Sequence, residues 1–376
     1  MTFVLAKDKQ EAWERIPTYK LAKSLQAAAR ESGLKEFIKL AGNENRLGIS
    51  PKAREAIIKA IDEVIYYPDP TGDTVAERLA EIHGVSPEQV LTGNGLFELL
   101  TALPQVVLSP GDTAIVPDPS FPLYISASWL TGADVVRVPL KDFTVDLDAI
   151  QAAVTPQTRL VWLCNPNNPT GTAFTDEQLR GFLAKLDSGI VVVLDEAYVD
   201  YVDDPDFPDS LALLKEYDNL VIARTFSKVH GLAGLRIAFL LASPQFIELV
   251  RKVKQAVAPN ILAQRAALAS LDDPDFSAAV IENNHAGKHA YYEFLEEFGL
   301  RYLPTQTNFI LFDTGQDSLA ITEKLLRRGI IVRAGGDFGL PGWLRVTIGT
   351  PEDNKRVLAE LRELLTHTPG ESEERP

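Results

Sequence analysis

Lys228 lies in ARTFSKVHGLAGLR, residues 223–236, directly after the apolar run NLVIA and among small, hydroxyl-bearing and glycine residues. A lysine kept for solubility belongs on a charged helix face. One desolvated at the end of a buried strand loses preference for its charged form, and its neutral amine can attack a carbonyl. Thr225, Ser227 and Arg236 add hydroxyls and a guanidinium, the donors a phosphate needs. A surface loop with a chance lysine is the plainer reading of the same stretch. Asp195, in LDEAY (194–198), closes another apolar strand. A carboxylate there needs a cationic or N–H partner, or else caps a helix; Tyr198 reads equally as a core residue. NPNNPTG (165–171) is a rigid, asparagine-rich turn, or simply a connecting loop. LTGNG (91–95) runs into the apolar helical stretch LFELLTAL, so its glycines make either a backbone anion site or a plain turn.

Taken together these stretches narrow to one chemistry. An aldehyde cofactor with a phosphate and a pyridine ring needs an amine, a phosphate cradle, a carboxylate for the ring nitrogen and hydrogen bonds to the ring hydroxyl. Pyridoxal 5′-phosphate is that cofactor, and lysine and aspartate are its usual anchors.

The elements that must position these residues follow from apolar periodicity. Runs at 113–117, 133–140, 158–166, 189–198, 219–225 and 236–242 read as strands, and the central ones are continuously apolar. Strands buried on both faces look like that, so the fold class is α/β, with a mainly parallel sheet flanked by helices. The chemistry-bearing stretches then fall at strand C-terminal ends, the edge where open α/β sheets bind ligands. SPKAREAIIKAIDEVI predicts one helix with Ser50 as N-cap and Pro51 after it; DTVAERLAEIHG predicts another, stopped by Gly84. Thr175 and Gln178 form a capping box for a covering helix. Beyond about residue 245 the texture changes. Helices FIELVRKVKQAV, KHAYYEFLEEFG and SLAITEKLLRRG, strands at 308–314, 329–335 and 343–349, and a closing helix PEDNKRVLAELRELLTH predict a smaller α+β domain. The division expected is a large domain over 46–250 and a small one over 1–45 and 251–376.

The net charge of −15 disfavours nucleic acid and anionic lipid. One cysteine, Cys164, permits no internal disulfide, and scattered histidines offer no structural zinc site, so no metal is expected. No apolar run approaches the ~20 residues that span a bilayer, and MTFVLAKDKQEAWER becomes charged too early for a signal peptide; a cytoplasmic protein without a membrane partner is expected.

NPNNPTG, LDEAYVDYVDD, RTFSKVHGLAGLR, NENRLGISP and YPDP resemble the fold-type I pyridoxal-phosphate aminotransferases, and within them the histidinol-phosphate aminotransferase branch, from about residue 13 to 366. The resemblance implies that Lys228 bonds the cofactor aldehyde and shuttles the substrate proton. It implies that Asp195 pairs with the pyridine nitrogen, and that Asn168 and Tyr198 bond the ring's phenolic oxygen. Phe121 would stack on the ring; Thr225, Ser227, Arg236 and the backbone at Gly95 and Leu96 would hold the phosphate. Tyr67, or Tyr66 beside it, would reach the phosphate from a partner subunit, making the protein a homodimer with shared sites. For the substrates it implies Arg345 and Arg333 at the anionic end, with Tyr19, Asn45 and Asn308 near the mouth. The implied reaction is transamination between histidinol phosphate and 2-oxoglutarate, in histidine biosynthesis. An aromatic amino acid aminotransferase, acting on phenylalanine or tyrosine, and a threonine-phosphate decarboxylase share much of the pattern. The chain departs from the branch at Leu21 and Ala22, where proline and glycine are usual, at Arg46 for proline, and at Leu96 and Phe97 in the phosphate loop.

Overall fold

The computed structural model describes residues 14–16 and 23–366. Its strands, in chain order, are β1 Ile38–Lys39, β2 Val90–Gly93, β3 Thr113–Asp118, β4 Asp134–Pro139, β5 Thr158–Cys164, β6 Val191–Asp195, β7 Leu220–Thr225 and β8 Ala238–Leu241. There follow β9 Tyr302–Leu303, β10 Phe309–Asp313, β11 Ile330–Ile331, β12 Arg333–Ala334 and β13 Trp343–Thr347. A seven-stranded sheet has the order β2-β8-β7-β6-β5-β3-β4. Its neighbours from β7 to β4 are parallel, whereas β8 is antiparallel to both β7 and β2. Because only β8 is reversed, β2 ends at the same edge as β5, β6 and β7.

The continuous apolar runs reflect burial on both faces. On β6 and β7, Val192, Leu194, Leu220 and Ile222 join one core, while Val193, Val221 and Ala223 join the core on the opposite face. The capping box forms as the sequence predicts: Thr175 Oγ1 accepts from the N–H of Gln178, whose side chain accepts from the N–H of Thr175, starting the helix Asp176–Leu183.

A four-stranded sheet, β12-β13-β10-β9, builds a separate core with the helices Ser318–Arg327 and Pro351–Thr366. The N-terminal segment joins it through β1, which pairs in parallel with β11. Several elements differ from the sequence expectation. The helix begun at Pro51 ends at Lys59 and continues as a 3-10 turn, Ile61–Ile65, because the 58–65 face has little to pack on: Ile58, Ile61, Val64 and Ile65 are all exposed. The expected strand over 329–335 is two short strands parted at Val332. KHAYYEFLEEFG is only the end of a long helix, Pro274–Glu297, and the helix Ile261–Leu271 precedes it. Among the described residues no helix is long and apolar enough to cross a membrane.

Candidate active site

The shared strand edge opens into a cavity of about 490 Å³. Strand register aligns its walls. Cys164 pairs with Asp195, and Asp195 with Ala223, so β5, β6 and β7 deliver their loops at one level. Ala238 of β8 pairs with Gly93 on one side and Thr225 on the other. Arg236, two residues before it, therefore enters between the two glycine- and hydroxyl-bearing loops.

Lys228 keeps some exposed surface because it faces this cavity, yet protein encloses it. That enclosure pulls its pKa down to about 8; the carboxylates of Glu44 and Asp195 act against the fall, while Arg345 and Arg236 add to it. Its Nζ donates to the carbonyl of Asn43 at 3.1 Å and sits 5.1 Å from the centre of the Tyr198 ring. A substantial fraction of neutral amine near neutrality is what a carbonyl-attacking lysine needs.

Asp195 ends β6 and is 4% exposed. Burial pushes its pKa up to about 6; hydrogen bonds from Tyr124 and the N–H of Ala197, and the charge of Lys228, oppose that rise. Tyr124 Oη donates to Oδ2 at 2.7 Å, and the N–H of Ala197 donates to Oδ1 at 3.0 Å. Tyr124 is itself fixed by stacking on Trp162 at 4.8 Å. Among the described residues no cation lies within ion-pair distance of Asp195, so the carboxylate is oriented and poised for a cationic guest.

The asparagine-rich turn divides its labour. Asn165 bonds both backbone groups of Phe174, and Asn167 ties Ser120, Pro119 and Thr170 together. Asn168 is left facing the cavity, where its Oδ1 accepts from Arg345 Nη1 at 2.6 Å. Tyr198 Oη accepts from Asn43 Nδ2 at 2.9 Å, and burial raises the phenol's pKa. Phe121 lines the wall edge-on to Tyr124.

Thr225 Oγ1 donates to Ser227 Oγ at 2.9 Å and accepts the N–H of Ser227. Opposite them Gly95 caps the helix Leu96–Val107 with φ of 80° and no side-chain acceptor for the first-turn N–H groups. Helix starts of this kind favour anions. Leu96 and Phe97 line the cavity without a hydroxyl, so the backbone carries this role. Arg236 has φ of 59°, a left-handed conformation costing roughly 1–2 kcal/mol in a non-glycine residue. A Cβ on Gly95 would collide with its Nη2. Gly95→Ala is therefore expected to weaken retention of pyridoxal 5′-phosphate by about tenfold or more. Titration of the apoprotein with the cofactor checks this, and wild-type affinity would remove Gly95 from the cradle.

Arg333 and Arg345 occupy directly opposed positions on β12 and β13. Like charges so placed repel unless something anionic lies between. Asp337 accepts from Arg333 Nε at 3.2 Å, and Phe338 stacks beneath both guanidiniums at 4.6 and 4.8 Å. Asn308 is buried behind the cavity, donating to the Asn43 carbonyl at 3.1 Å. Asn45 turns away and donates to the Val229 carbonyl at 2.9 Å. Tyr67 is 90% exposed on the surface, with Tyr66 exposed beside it, and Tyr19 lies outside the described residues. Arg46, at a departure from the family pattern, makes a bidentate pair with Asp353 at 2.8 and 3.3 Å.

Sequence reasoning missed Asn43, Glu44 and Tyr124. Asn43 has φ of 58°, a conformation asparagine tolerates better than most residues, and asparagine between glycine and a charged residue was the available signal. Among the described residues no cluster of three or more histidine, cysteine or acidic side chains is placed to hold a metal ion.

Residues 35–361 match the family described as aminotransferase class I and II. The histidinol-phosphate aminotransferase of Brevibacillus brevis is 44% identical over 350 residues, covering 93% of this chain and 96% of that protein. That of Moorella thermoacetica is 43% identical over 357 residues, covering 95% and 92%. The crystal structure of histidinol-phosphate aminotransferase from Sinorhizobium meliloti in complex with pyridoxal 5′-phosphate superposes with a TM-score of 0.86 at 27% identity, covering 94% of this chain and 96% of that one.

Proposed function

The chain belongs to the class I and II aminotransferases, among the histidinol-phosphate aminotransferases, and from that membership we propose that it moves the amino group of histidinol phosphate to 2-oxoglutarate, forming imidazole acetol phosphate and glutamate. This makes it a cytoplasmic enzyme of histidine biosynthesis. The class depends on pyridoxal 5′-phosphate, and the residues present fit that group: an enclosed amine, an oriented carboxylate with no cation at ion-pair distance, and an anion cradle in which a glycine at 95 lets the Arg236 guanidinium approach the helix start.

Lys228 would hold the aldehyde and Asp195 the ring nitrogen. Asn168 and Tyr198 would bond the phenolic oxygen and Phe121 would cover one ring face. The backbone at Gly95 and Leu96 would grip the phosphate with Thr225, Ser227 and Arg236. When bound, the cofactor supplies an electron sink for bond breaking at the donor's α-carbon. Lys228 Nζ takes the α-proton and returns it, a task suited to an amine whose pKa is near 8. The anion of Asp195 would favour positive charge at the ring nitrogen. Tyr198 and Asn168 would orient the group through its phenolic oxygen. Burial of Lys228 and Asp195 strengthens the contacts each would make.

The observation carrying the substrate assignment is the opposed pair Arg333 and Arg345, a seat for a dianionic phosphate monoester and, in the return half-reaction, for carboxylate. A panel of amino donors with 2-oxoglutarate, scored by glutamate formation, tests it. The expected kcat/KM for histidinol phosphate exceeds that for phenylalanine by roughly 10²-fold. Turnover of phenylalanine or tyrosine with none of histidinol phosphate would make this an aromatic aminotransferase; carbon dioxide release without a keto product would make it a decarboxylase.

We also propose a homodimer with shared sites. Ile58, Ile61, Val64, Ile65, Tyr66 and Tyr67 are all exposed within one short stretch, a local concentration of apolar side chains that a partner subunit would cover. Tyr67 would reach the partner's phosphate cradle. Asn45 and Asn308 would support the proposed substrate mouth by holding Val229 and Asn43 in place, and the family resemblance assigns Tyr19 to the same mouth.

A further inference from the structure

A phenol has one proton to donate, and where that proton points decides what the residue can do. Tyr124 donates its O–H to Asp195. Tyr198 is different. Its Oη accepts from Asn43 Nδ2 at 2.9 Å, and among the described residues no acceptor is placed for its own O–H, although Tyr198 lines the cavity. We propose that Asn43 and Thr347 are positioning residues that make Tyr198 a hydrogen-bond donor toward the cavity, suited to the acidic hydroxyl of an aromatic guest. On the reading above, that acceptor is the phenolic oxygen of pyridoxal 5′-phosphate, and the inference rests on that reading.

The direction is set by a closed set of partners. Thr347 ends β13 of the smaller sheet. Its Oγ1 accepts from the N–H of Asn43 at 3.0 Å and donates to Asn43 Oδ1 at 3.1 Å. An amide that turns its oxygen to a hydroxyl donor must turn its NH2 the other way, and here that way is Tyr198. Reversing the amide would make Thr347 Oγ1 accept twice and leave the threonine proton without its acceptor. Thr347, Asn43 and Tyr198 are all buried, so the lost bond would go unreplaced. Each link is also fixed from outside the chain of bonds. The N–H of Thr347 donates to the Leu40 carbonyl at 2.9 Å, and the Asn43 carbonyl accepts from both Lys228 and Asn308. The Tyr198 ring stands edge-on to Phe309, the residue paired with Thr347 across the sheet, at 5.4 Å between ring centres.

Hydrogen bonds in such a series polarise one another, so the threonine also strengthens the bond that Tyr198 makes. A donor on the phenolic oxygen draws off part of that oxygen's negative charge. The oxygen then holds less firmly any proton on the neighbouring nitrogen that links cofactor to lysine. Losing the donor therefore raises the pH at which that proton leaves. The smaller sheet thus reaches the cofactor's charge balance through two residues that need not touch the cofactor.

The test is a pH titration of the visible absorbance of lysine-linked cofactor in wild-type, Tyr198→Phe, Thr347→Val, Thr347→Ser and doubly substituted Tyr198→Phe/Thr347→Val holoenzymes. Tyr198→Phe is expected to raise the midpoint by about one pH unit, and Thr347→Val by about half as much. Thr347→Ser, which keeps the hydroxyl, should restore the wild-type midpoint. In the Tyr198→Phe background Thr347→Val should add nothing, because its effect runs through that phenol. A merely structural threonine would lower stability without moving the midpoint. Asn43→Asp offers Tyr198 only acceptors, so it should raise the midpoint more in the presence of the phenol than in the Tyr198→Phe background, and it decides the matter if Thr347→Val does not fold. A midpoint unmoved by Thr347→Val, or moved equally in both backgrounds, would overturn the inference while leaving Tyr198 on the phenolic oxygen. A midpoint unmoved by Tyr198→Phe would instead show that Tyr198 does not bond that oxygen, and the inference would fall with that reading.

Discussion

Lys228→Ala is expected to abolish the visible absorbance of lysine-linked cofactor and to reduce transamination by roughly 10⁴-fold or more. The size follows from the absence of a substitute. Among the described residues that line the cavity, Lys39 is the other lysine, and its ammonium is paired with Glu44. Lys228 alone sits between the Asn43 carbonyl and the Tyr198 ring. Removing it deletes both the attachment point and the proton carrier. A pH dependence accompanies this. Attack on an aldehyde needs the neutral amine, and burial holds that amine's pKa near 8. The rate of cofactor capture by the apoprotein should therefore rise as pH increases through about 8 and level off above it. Stopped-flow absorbance measures both effects; a variant that turns over at a near wild-type rate, or capture that is flat across this range, would refute the assignment.

Asp195→Ala should weaken cofactor binding and slow turnover by about 10²–10³-fold. The carboxylate is buried, fixed at both oxygens and without a described cation at ion-pair distance, so a positive guest in contact would be its strongest charge partner. Deleting it leaves the guest's ring nitrogen uncompensated in an enclosed site. The pH dependence has the same sign as that of the lysine, set about two pH units lower. Burial raises the Asp195 pKa to about 6, so the free acid forms as pH falls through that value and the pairing is lost. Cofactor affinity of the wild-type apoprotein should drop below about pH 6, and that drop should vanish in Asp195→Ala. Equilibrium titration at several pH values decides it, and kinetics unchanged by the substitution would count against the pairing.

Much of this was legible in the sequence because it is local. The continuous apolar runs ending in Asp195 and Thr225 announce doubly buried strands, and their C-terminal ends locate the site without any tertiary information. The capping box at Thr175 and Gln178 is read from spacing alone, and it forms. The residues missed act through approach in space. Tyr124 reaches Asp195 across 71 positions, and Asn43 bonds Tyr198 across 155. No periodicity marks such contacts. Asn45 shows the converse: it sits in the motif NEN, yet its side chain serves the backbone at Val229 and Asn43 takes the cavity-facing place. The helix Ile261–Leu271 escaped notice because its buried face is built of alanine with Gln264 and Ser270, while Ile261, Leu262 and Leu268 lie half-buried off that face, so the amphipathic contrast is weak.

The segment at Asn43 has a consequence for how the molecule can be divided. Asn43 touches Tyr198 and Lys228 on the side of the larger sheet, and Asn308 and Thr347 on the side of the smaller one. Arg46 then anchors the same stretch to the final helix through Asp353. Cutting the polypeptide between its sheets would thus unclasp the catalytic amine even if each fragment kept its shape. The enzyme's two halves are held as jaws by a buckle, and the buckle is an asparagine.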